Sequence, residues 1–556
     1  MTSAARRFVD AGVSISRDPV SADRLRLAAI ALHKQGRIED AIGLYRRGLS
    51  LDPSDASALR CLGTAYKTLG RLELAVACFR RAVELFPAFC EAWNNLGNTL
   101  GEQGDIDGAA DCYRHAFTAQ PQFAGAHFNY AQALDRLGRY DEAVSAFGQA
   151  IELAPRSAEF YNGYARTLDK LGRFDEAVAA FRRATELAPQ NAEFYNGLGL
   201  ALYESRRIDE ALAAYDQAIR LRPEFALPRY NRSHAWLLLG DCERGWAEYE
   251  WRWKLPEITL PPYPQPRWDG SAKAESTILL EAEQGLGDTI QFVRYVPLVK
   301  ERVGKVVLRC QNPLTLLLKK LSGIDRVISR DEPVGEFDIW SPLMSLPLLF
   351  NTTLDSIPNP VPYLAADESL VRFWQERLQR VDGMRVGIHW QGNPAFSRDR
   401  FRSIPLTSFE PLAGIAGVRL ISLQKGFGSE QLNPHSVRFP VIDLELKLDE
   451  IHGPFLDTAA ILRCLDLLIT SDTALAHLAG ALGVETWLAV PRVPEWRWLS
   501  GRDDSPWYPT LSLFHQRSVG QWSDVFLRMA AALRNRTIAR SSASLPDRQT
   551  LPVSRI

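Results

Sequence analysis

Six prolines, Pro53, Pro87, Pro121, Pro155, Pro189 and Pro223, stand at a constant spacing of 34 residues. The same period runs through Ala41, Ala75, Ala109, Ala143, Ala177 and Ala211, and again through Ala82, Ala116, Ala150, Ala184 and Ala218. An aromatic series keeps step with them: Tyr45, Phe79, Tyr113, Phe147, Phe181 and Tyr215. A period of this length kept without insertion restricts the chain to stacked supersecondary units that share one continuous core. Each unit is expected to be a pair of antiparallel helices. Small alanines let the helices approach, and the aromatic fills the gap toward the next unit. Proline ends the second helix, because it lacks an N–H and disfavours helix in the residue before it.

The pattern resembles the tetratricopeptide (TPR) repeat and implies an α-solenoid over residues 22–259, six regular units and a degenerate cap. The cap, "GDCERGWAEYEWRWK", has Gly245 at an alanine position and is rich in aromatics that suit docking onto whatever follows. Asparagines recur at nearby offsets: Asn94, Asn95, Asn129, Asn162, Asn196 and Asn231. O-GlcNAc transferases also join TPR repeats to a catalytic unit, and the resemblance implies a groove in which such a ladder grips a polypeptide acceptor. The plainer reading is that asparagine is common at this point of a TPR helix.

Residues 260–276 form a proline-rich linker, "PPYPQPRWDGSAKAES" at its heart. Beyond it, apolar runs of strand length alternate with helical stretches, which predicts α/β structure with parallel sheets. Strands are expected at Thr277–Glu283, Lys305–Cys310, Asp325–Ile328 and Phe337–Trp340. A second set is expected at Met384–Trp390, Val418–Leu423, Val441–Leu444, Leu465–Thr470, Glu485–Val490 and Leu511–Phe514. "NTTLDSIPNPVPYL" (351–364) separates the sets. The expectation is a pair of Rossmann-like domains, 277–365 and 366–535, facing a cleft in a GT-B-like arrangement. The last helix is expected at Ser523–Arg534. Residues 1–21 form an N-terminal tail, and the Ser/Arg/Pro-rich 536–556 reads as a disordered one.

Composition removes several function classes. A length of 556 residues points to about three to four domains. The net charge of −1 provides no overall field for nucleic acid or an anionic membrane. The seven cysteines are scattered and never spaced C-x-x-C, which fits a reducing, cytoplasmic compartment and argues against a zinc site. No apolar stretch reaches the roughly 18 residues of a membrane span, and "MTSAARRFVDAGVS" lacks the apolar region of a signal peptide.

The segment "LDLLITSDTALAHLAGALG" (465–483) turns from a buried strand into a helix of small residues. In doubly wound sheets ligands bind beyond the carboxyl ends of strands, where helix N-termini favour phosphate. Ser471, Asp472 and Thr473 occupy that place, and His477 lies one turn along the same face. An N-capped helix with a core histidine is the alternative. "SDTALAHLAGALG" resembles the Asp-[Ser/Thr]-Gly-x-x-His segment of bacterial heptosyltransferases, inverting GT-B enzymes in which the turn binds the donor diphosphate. Ala474 stands where that family carries glycine. "AEQGLGDTIQF" (282–292) resembles the family's turn after the first strand and implies Asp288 as catalytic base. "HWQGNPAFSRDRFRSIPLTSFEPL" (389–412) implies Arg402 as a phosphate contact. In "SLQKGFGSEQL" (422–432), Gln424 and Lys425 match a nucleotide-facing Gln and Lys of O-GlcNAc transferases.

Gly285-x-Gly287 also begins a dinucleotide fingerprint, but Ile290 replaces its third glycine, and Cys310-Gln311 stand where an acidic residue is needed. With no D-x-D in this half, the diphosphate charge falls to Arg402, Lys425 and helix amides, and neither metal nor resident cofactor is expected. The aromatic run 494–516, with Arg497, Arg502, Asp503 and Asp504, suits either a loop over the donor or a plug between domains. The expected function is sugar transfer from a nucleotide sugar to a hydroxyl acceptor, a polypeptide recruited by the repeats. The rival is a non-catalytic TPR scaffold carrying a degenerate transferase-like domain.

Overall fold

The computed structural model describes residues 21–396, 398–433, 437–444 and 448–543, with backbone alone for 539–543. The expected N-terminal tail, apart from Ser21, and residues 544–556 of the expected C-terminal tail lie outside the described residues. Two compact units divide the chain between Ser205 and Arg206.

The first unit is a run of helices in antiparallel pairs, from Ala22–Lys34 and Ile38–Leu51 to the eleventh, Ala192–Glu204. The periodic residues form its interior: Ala75, Ala143 and Ala177 are fully buried, as is Phe79. Glycines make room for the rings. A Cβ on Gly63 would lie 2.7 Å from Phe79, and one on Gly97 2.6 Å from Tyr113, both partners within one helical pair. Gly163 and Gly197 stand in the same relation to Phe147 and Phe181 of the preceding pair. The rings therefore pack within pairs as well as between them. Each pair turns through a left-handed residue, glycine at 36, 70, 104, 138 and 172, as a helix C-terminus favours.

The second unit begins with Arg206 itself in that conformation, φ 64°. Helices Ile208–Leu221, Ala226–Leu238 and Cys242–Tyr249 and a 3-10 turn, Glu250–Lys254, precede the sheets. The first sheet has order β3-β2-β1-β4, with β1 Lys273–Glu281, β2 Val303–Cys310, β3 Arg326–Ser329 and β4 Ile339–Pro342, all parallel. The second has order β6-β5-β7-β8-β9, also parallel. Its strands are β5 Met384–His389, β6 Val418–Ser422, β7 Leu467–Ser471, β8 Thr486–Val490 and β9 Leu511–His515. This is the α/β region expected from the apolar runs.

Two details differ from expectation. Val441–Leu444 does not form a strand; Ile442 makes one isolated bridge to Ile421 beside β6. The last helix runs from Ser523 to Ala543, beyond Arg534. The proline-rich 260–276 segment is docked, since the Trp268 N–H donates to the Trp340 carbonyl at 2.8 Å and the Tyr263 hydroxyl to Glu281 at the same distance.

The last repeat-like helices hold to the α/β region through aromatic rings. Trp246 meets Trp496 edge-on with centroids 5.2 Å apart and Phe292 at 6.2 Å. The aromatic run after Pro494 thus packs as a plug on the cap. Beside it the fully buried Arg252 pairs with Glu250 and Glu283 and bonds Ser345. Burial pushes the Glu283 carboxyl up to about 7 even against the pull of Arg252.

Candidate functional site

In the second sheet the chain leaves β5 toward β6 on one side and continues at β7 on the other. The crevice beyond the carboxyl ends of β5 and β7 is therefore a topological switch point, where α/β sheets bind ligands. Strand β7 is buried along its whole length. Helix Ala474–Ala481 starts from Thr473, whose backbone is extended and whose hydroxyl makes no capping bond. The first amides of that helix are left with no side-chain acceptor from the cap. The Ser471 hydroxyl is buried without a partner. Hydroxyls of Thr470 and Thr473 each lie 3.5 Å from Nδ1 of His389, the last residue of β5.

Arg402 stands at the same mouth. Its Nε donates to Asp399 at 3.0 Å, its guanidinium lies 4.6 Å from the Phe396 ring centre, and the Gly392 backbone beside it leaves no room for a Cβ. Desolvation pushes the His389 imidazole down to about 4, and the Arg402 charge adds to this, so the ring is neutral near pH 7. Desolvation raises the Asp472 carboxyl against the pull of Arg402. His477 is held neutral too, pushed well below its ordinary value by burial and the charge of Arg497. Its Nδ1 lies 3.0 Å from the Tyr508 hydroxyl, and its ring stacks on Trp498 at 5.4 Å. His477 is thus a packed wall of the crevice.

The turn after β1 faces this helix. A Cβ on Gly287 would lie 2.7 Å from His477 Cδ2, so helix Leu286–Phe292 approaches helix Ala474–Ala481 backbone-first. Asp288 uses one oxygen to cap its own helix, accepting the Gly285 N–H at 2.8 Å, and the other to pair with Arg497 Nη2. Arg497 also pairs with Glu495 and donates from Nε to Gln291. Burial lowers the Arg497 pKa, but the carboxylates of Glu495 and Asp288 more than reverse this.

The structure brings Asp288, Arg402, Ser471, Asp472, Thr473 and His477 to one crevice, and commits two other expected residues elsewhere. The Gln424 amide accepts the Trp390 and Gln391 N–H groups, both at 3.0 Å, and donates to the Gln391 and Phe427 carbonyls. Lys425 Nζ points to Asp449 at 3.2 Å. Sequence reasoning missed Glu495, His389 and the role of Arg497. Their signals were present: charged residues inside an aromatic run, and a histidine ending a strand.

The expected asparagine ladder is divided between the units, with Asn231 in the second. In the first, Asn129 Nδ2 donates to Asn94 Oδ1 at 2.8 Å, linking adjacent repeats. Asn129 also lines a cleft of about 270 Å³ with Gln132, Asp135, Arg136, Arg166 and Thr167. Asn196 is buried, whereas Asn95 and Asn162 are half-buried.

Residues 94–158, 135–192, 164–224 and 196–244 match the family described as Tetratricopeptide repeat, and 31–70 and 65–104 match the one described as TPR repeat. Residues 31–244 carry TPR repeats. They support a role in protein–protein interaction. Protein FlbA of Caulobacter vibrioides is 26% identical over 340 residues, 56% of this chain and 56% of FlbA. The chain thus spans about half the length of that curated relative. Among solved structures, YrrB, described as a TPR protein with an unusual peptide-binding site, is similar at 22% identity, over 33% of this chain and 95% of that one, TM-score 0.31. Pseudomonas aeruginosa pilF matches at 21%, over 37% and 95%, TM-score 0.34. A tetratricopeptide repeat protein of Parabacteroides merdae matches at 17%, over 43% and 94%, TM-score 0.35. Among the described residues no helix is long and apolar enough to cross a membrane.

Proposed function

We propose that the α/β half is an inverting glycosyltransferase of GT-B type, moving a sugar from a nucleotide sugar to a hydroxyl acceptor, with a polypeptide presented by the repeats. The observation that carries this is the β5–β7 switch point. It combines a helix start without a side-chain cap, an unpartnered Ser471 hydroxyl and Arg402, and it faces the Asp288 turn across one crevice. The diphosphate of the donor is met by Arg402 and the amides at Thr473, which stabilise negative charge as it grows on the leaving group. Neutral His389 is suited to donate or accept a hydrogen bond there without adding charge. The acceptor oxygen attacks the anomeric carbon as its proton passes to a carboxylate of the crevice, the role the motif resemblance gives to Asp288.

The proposed site is cytoplasmic and works without a divalent cation, guanidinium and amide groups supplying the positive charge. Thermal unfolding in the presence of UDP-, GDP-, ADP- and CMP-sugars tests the reading, because a ligand at 100 times its Kd adds about 2.7 kcal/mol. No stabilisation by any of them refutes it. The internal commitment of Gln424 and Lys425 favours a second reading, a scaffold that binds nucleotide without turnover. Donor stabilisation with no release of nucleotide would select it.

A further inference from the structure

Three carboxylates, Asp288, Glu495 and Asp472, gather around Arg497. The guanidinium is held at each nitrogen: Nη1 on Glu495, Nη2 on Asp288 and Nε on Gln291. A planar fork held at each nitrogen fixes both carboxylates in place. The two differ in what remains available. Asp288 also caps its own helix through Gly285, and its side chain keeps 16% of its surface open. Glu495 likewise caps its own turn, accepting the Arg497 backbone N–H on one oxygen and Arg497 Nη1 on the other, but its side chain keeps 35% of its surface open.

Resting on the glycosyltransferase reading, we propose that Glu495 is the catalytic base that takes the acceptor proton, and that Asp288 and Arg497 are positioning residues. The hydroxyl proton passes to a Glu495 carboxylate oxygen while the acceptor oxygen bonds to the anomeric carbon. The bond from that carbon to the phosphate oxygen breaks, its electron pair leaving with the nucleotide toward Arg402 and the helix amides. Glu495 then returns the proton to water.

Electrostatics agrees with this division. Desolvation by the crevice walls pushes the Glu495 carboxyl up to about 7, opposed by Arg497 and reinforced by the negative charge of Asp472. Beyond these, the charged and titratable groups around Arg497 and Asp472 include Asp288 and Arg402, with His234, Tyr249 and Tyr230 on the repeat-side helices and His477 and Tyr508 on the β7 side. A base titrating near the operating pH is the effective one.

The test uses the full chain with Glu495→Gln, Glu495→Asp and Asp288→Asn. Donor affinity is measured by titration with the same panel of nucleotide sugars, and turnover by release of nucleotide with water as acceptor, at about pH 5 to 9. The wild-type rate is expected to rise with pH through about 7. Glu495→Gln should lose about 10²–10⁴-fold in kcat and the acid limb, with donor Kd unchanged. Glu495→Asp should recover part of the rate with a displaced limb, and Asp288→Asn should keep the limb. Donor binding and turnover that persist at wild-type rate in Glu495→Gln, or an acid limb lost in Asp288→Asn alone, overturn the assignment and leave the transferase reading standing. A wild type that binds no nucleotide sugar overturns the reading and the assignment together.

Discussion

The repeat interior makes a sharp prediction at Gly197, inside helix Ala192–Glu204. Replacing an interior helix glycine by alanine ordinarily stabilises by about 0.5–1 kcal/mol, because the unfolded chain has less freedom to lose. Here the new methyl carbon would lie 2.4 Å from Phe181 Cε1 and 2.8 Å from Cζ, about 1 Å inside the 3.4 Å at which ordinary contact begins. The ring is only 3% exposed, so it has no free space to move into. Overpacking a filled core costs about 1–3 kcal/mol. The clash outweighs the propensity gain, leaving a net loss of about 1–2 kcal/mol. Gly148 is the internal control, since a Cβ there meets nothing within 4 Å. Repeat arrays open locally, so amide hydrogen exchange on the full chain is a better assay than a global melt. Gly197→Ala should speed exchange in Ala192–Glu204 by about 5–30-fold. Gly148→Ala should slow it in Tyr140–Leu153 by about twofold to fivefold. Slower exchange in both variants would refute the packing argument.

Arg402→Ala should weaken donor binding by about 1.5–3 kcal/mol, the scale of one charge-assisted hydrogen bond, and Asp472→Ala should weaken it as well; unchanged titration curves would move the donor elsewhere. Arg252→Leu strips the guanidinium partner from Glu283, leaves Glu250 with Arg267, and should cost about 3–5 kcal/mol near neutral pH. Because the Glu283 carboxyl is raised in the folded chain, to about 7 even with Arg252 present, the folded state holds a proton that the unfolded chain has released. The variant should therefore be most stable in acid and lose stability as pH rises, and thermal melts at about pH 5 and 8 with equal losses would contradict this. Gly287→Ala forces a methyl to 2.7 Å from His477 Cδ2 and should destabilise by about 1–3 kcal/mol; an unchanged melting temperature would mean that the two helices can separate without cost.

The solenoid was legible because its sequence states one rule repeatedly. Proline, alanine and aromatic positions each recur at 34 residues, and every recurrence adds to the same inference. The partners of those rings were less obvious. Gly63 and Gly97 share one register of the period and Gly163 and Gly197 another, two residues earlier, and glycine in a helix reads as a defect until the ring beside it is known. The strands were legible as apolar runs, whereas Val441–Leu444 misled because so short an apolar run fixes neither burial nor pairing, and none of its four residues is buried. Ile442 is placed beside β6 with a single bridge.

At the site, short motifs located the turns and hid their connection. "GLGD" and "SDTALAH" were separate matches, each suited to a ligand. In the structure the second glycine of one lies against the histidine of the other, so part of each motif serves the approach of the two helices. That is a long-range requirement with no local signature. The same holds for Asp288. The motif resemblance marked it as a base, but its partner Arg497 is 209 residues away, in a stretch where aromatics drew attention to packing. Both features are real there: the rings of Trp496 and Trp507 surround Trp246 of the cap, and that plug holds the turn carrying Glu495 and Arg497 against the Asp288 helix. A sequence scan separates an aromatic plug from a charged site because it weighs residue types one at a time. The fold uses the first to position the second, which is why the charge pairs of the crevice follow from packing that no single motif encodes.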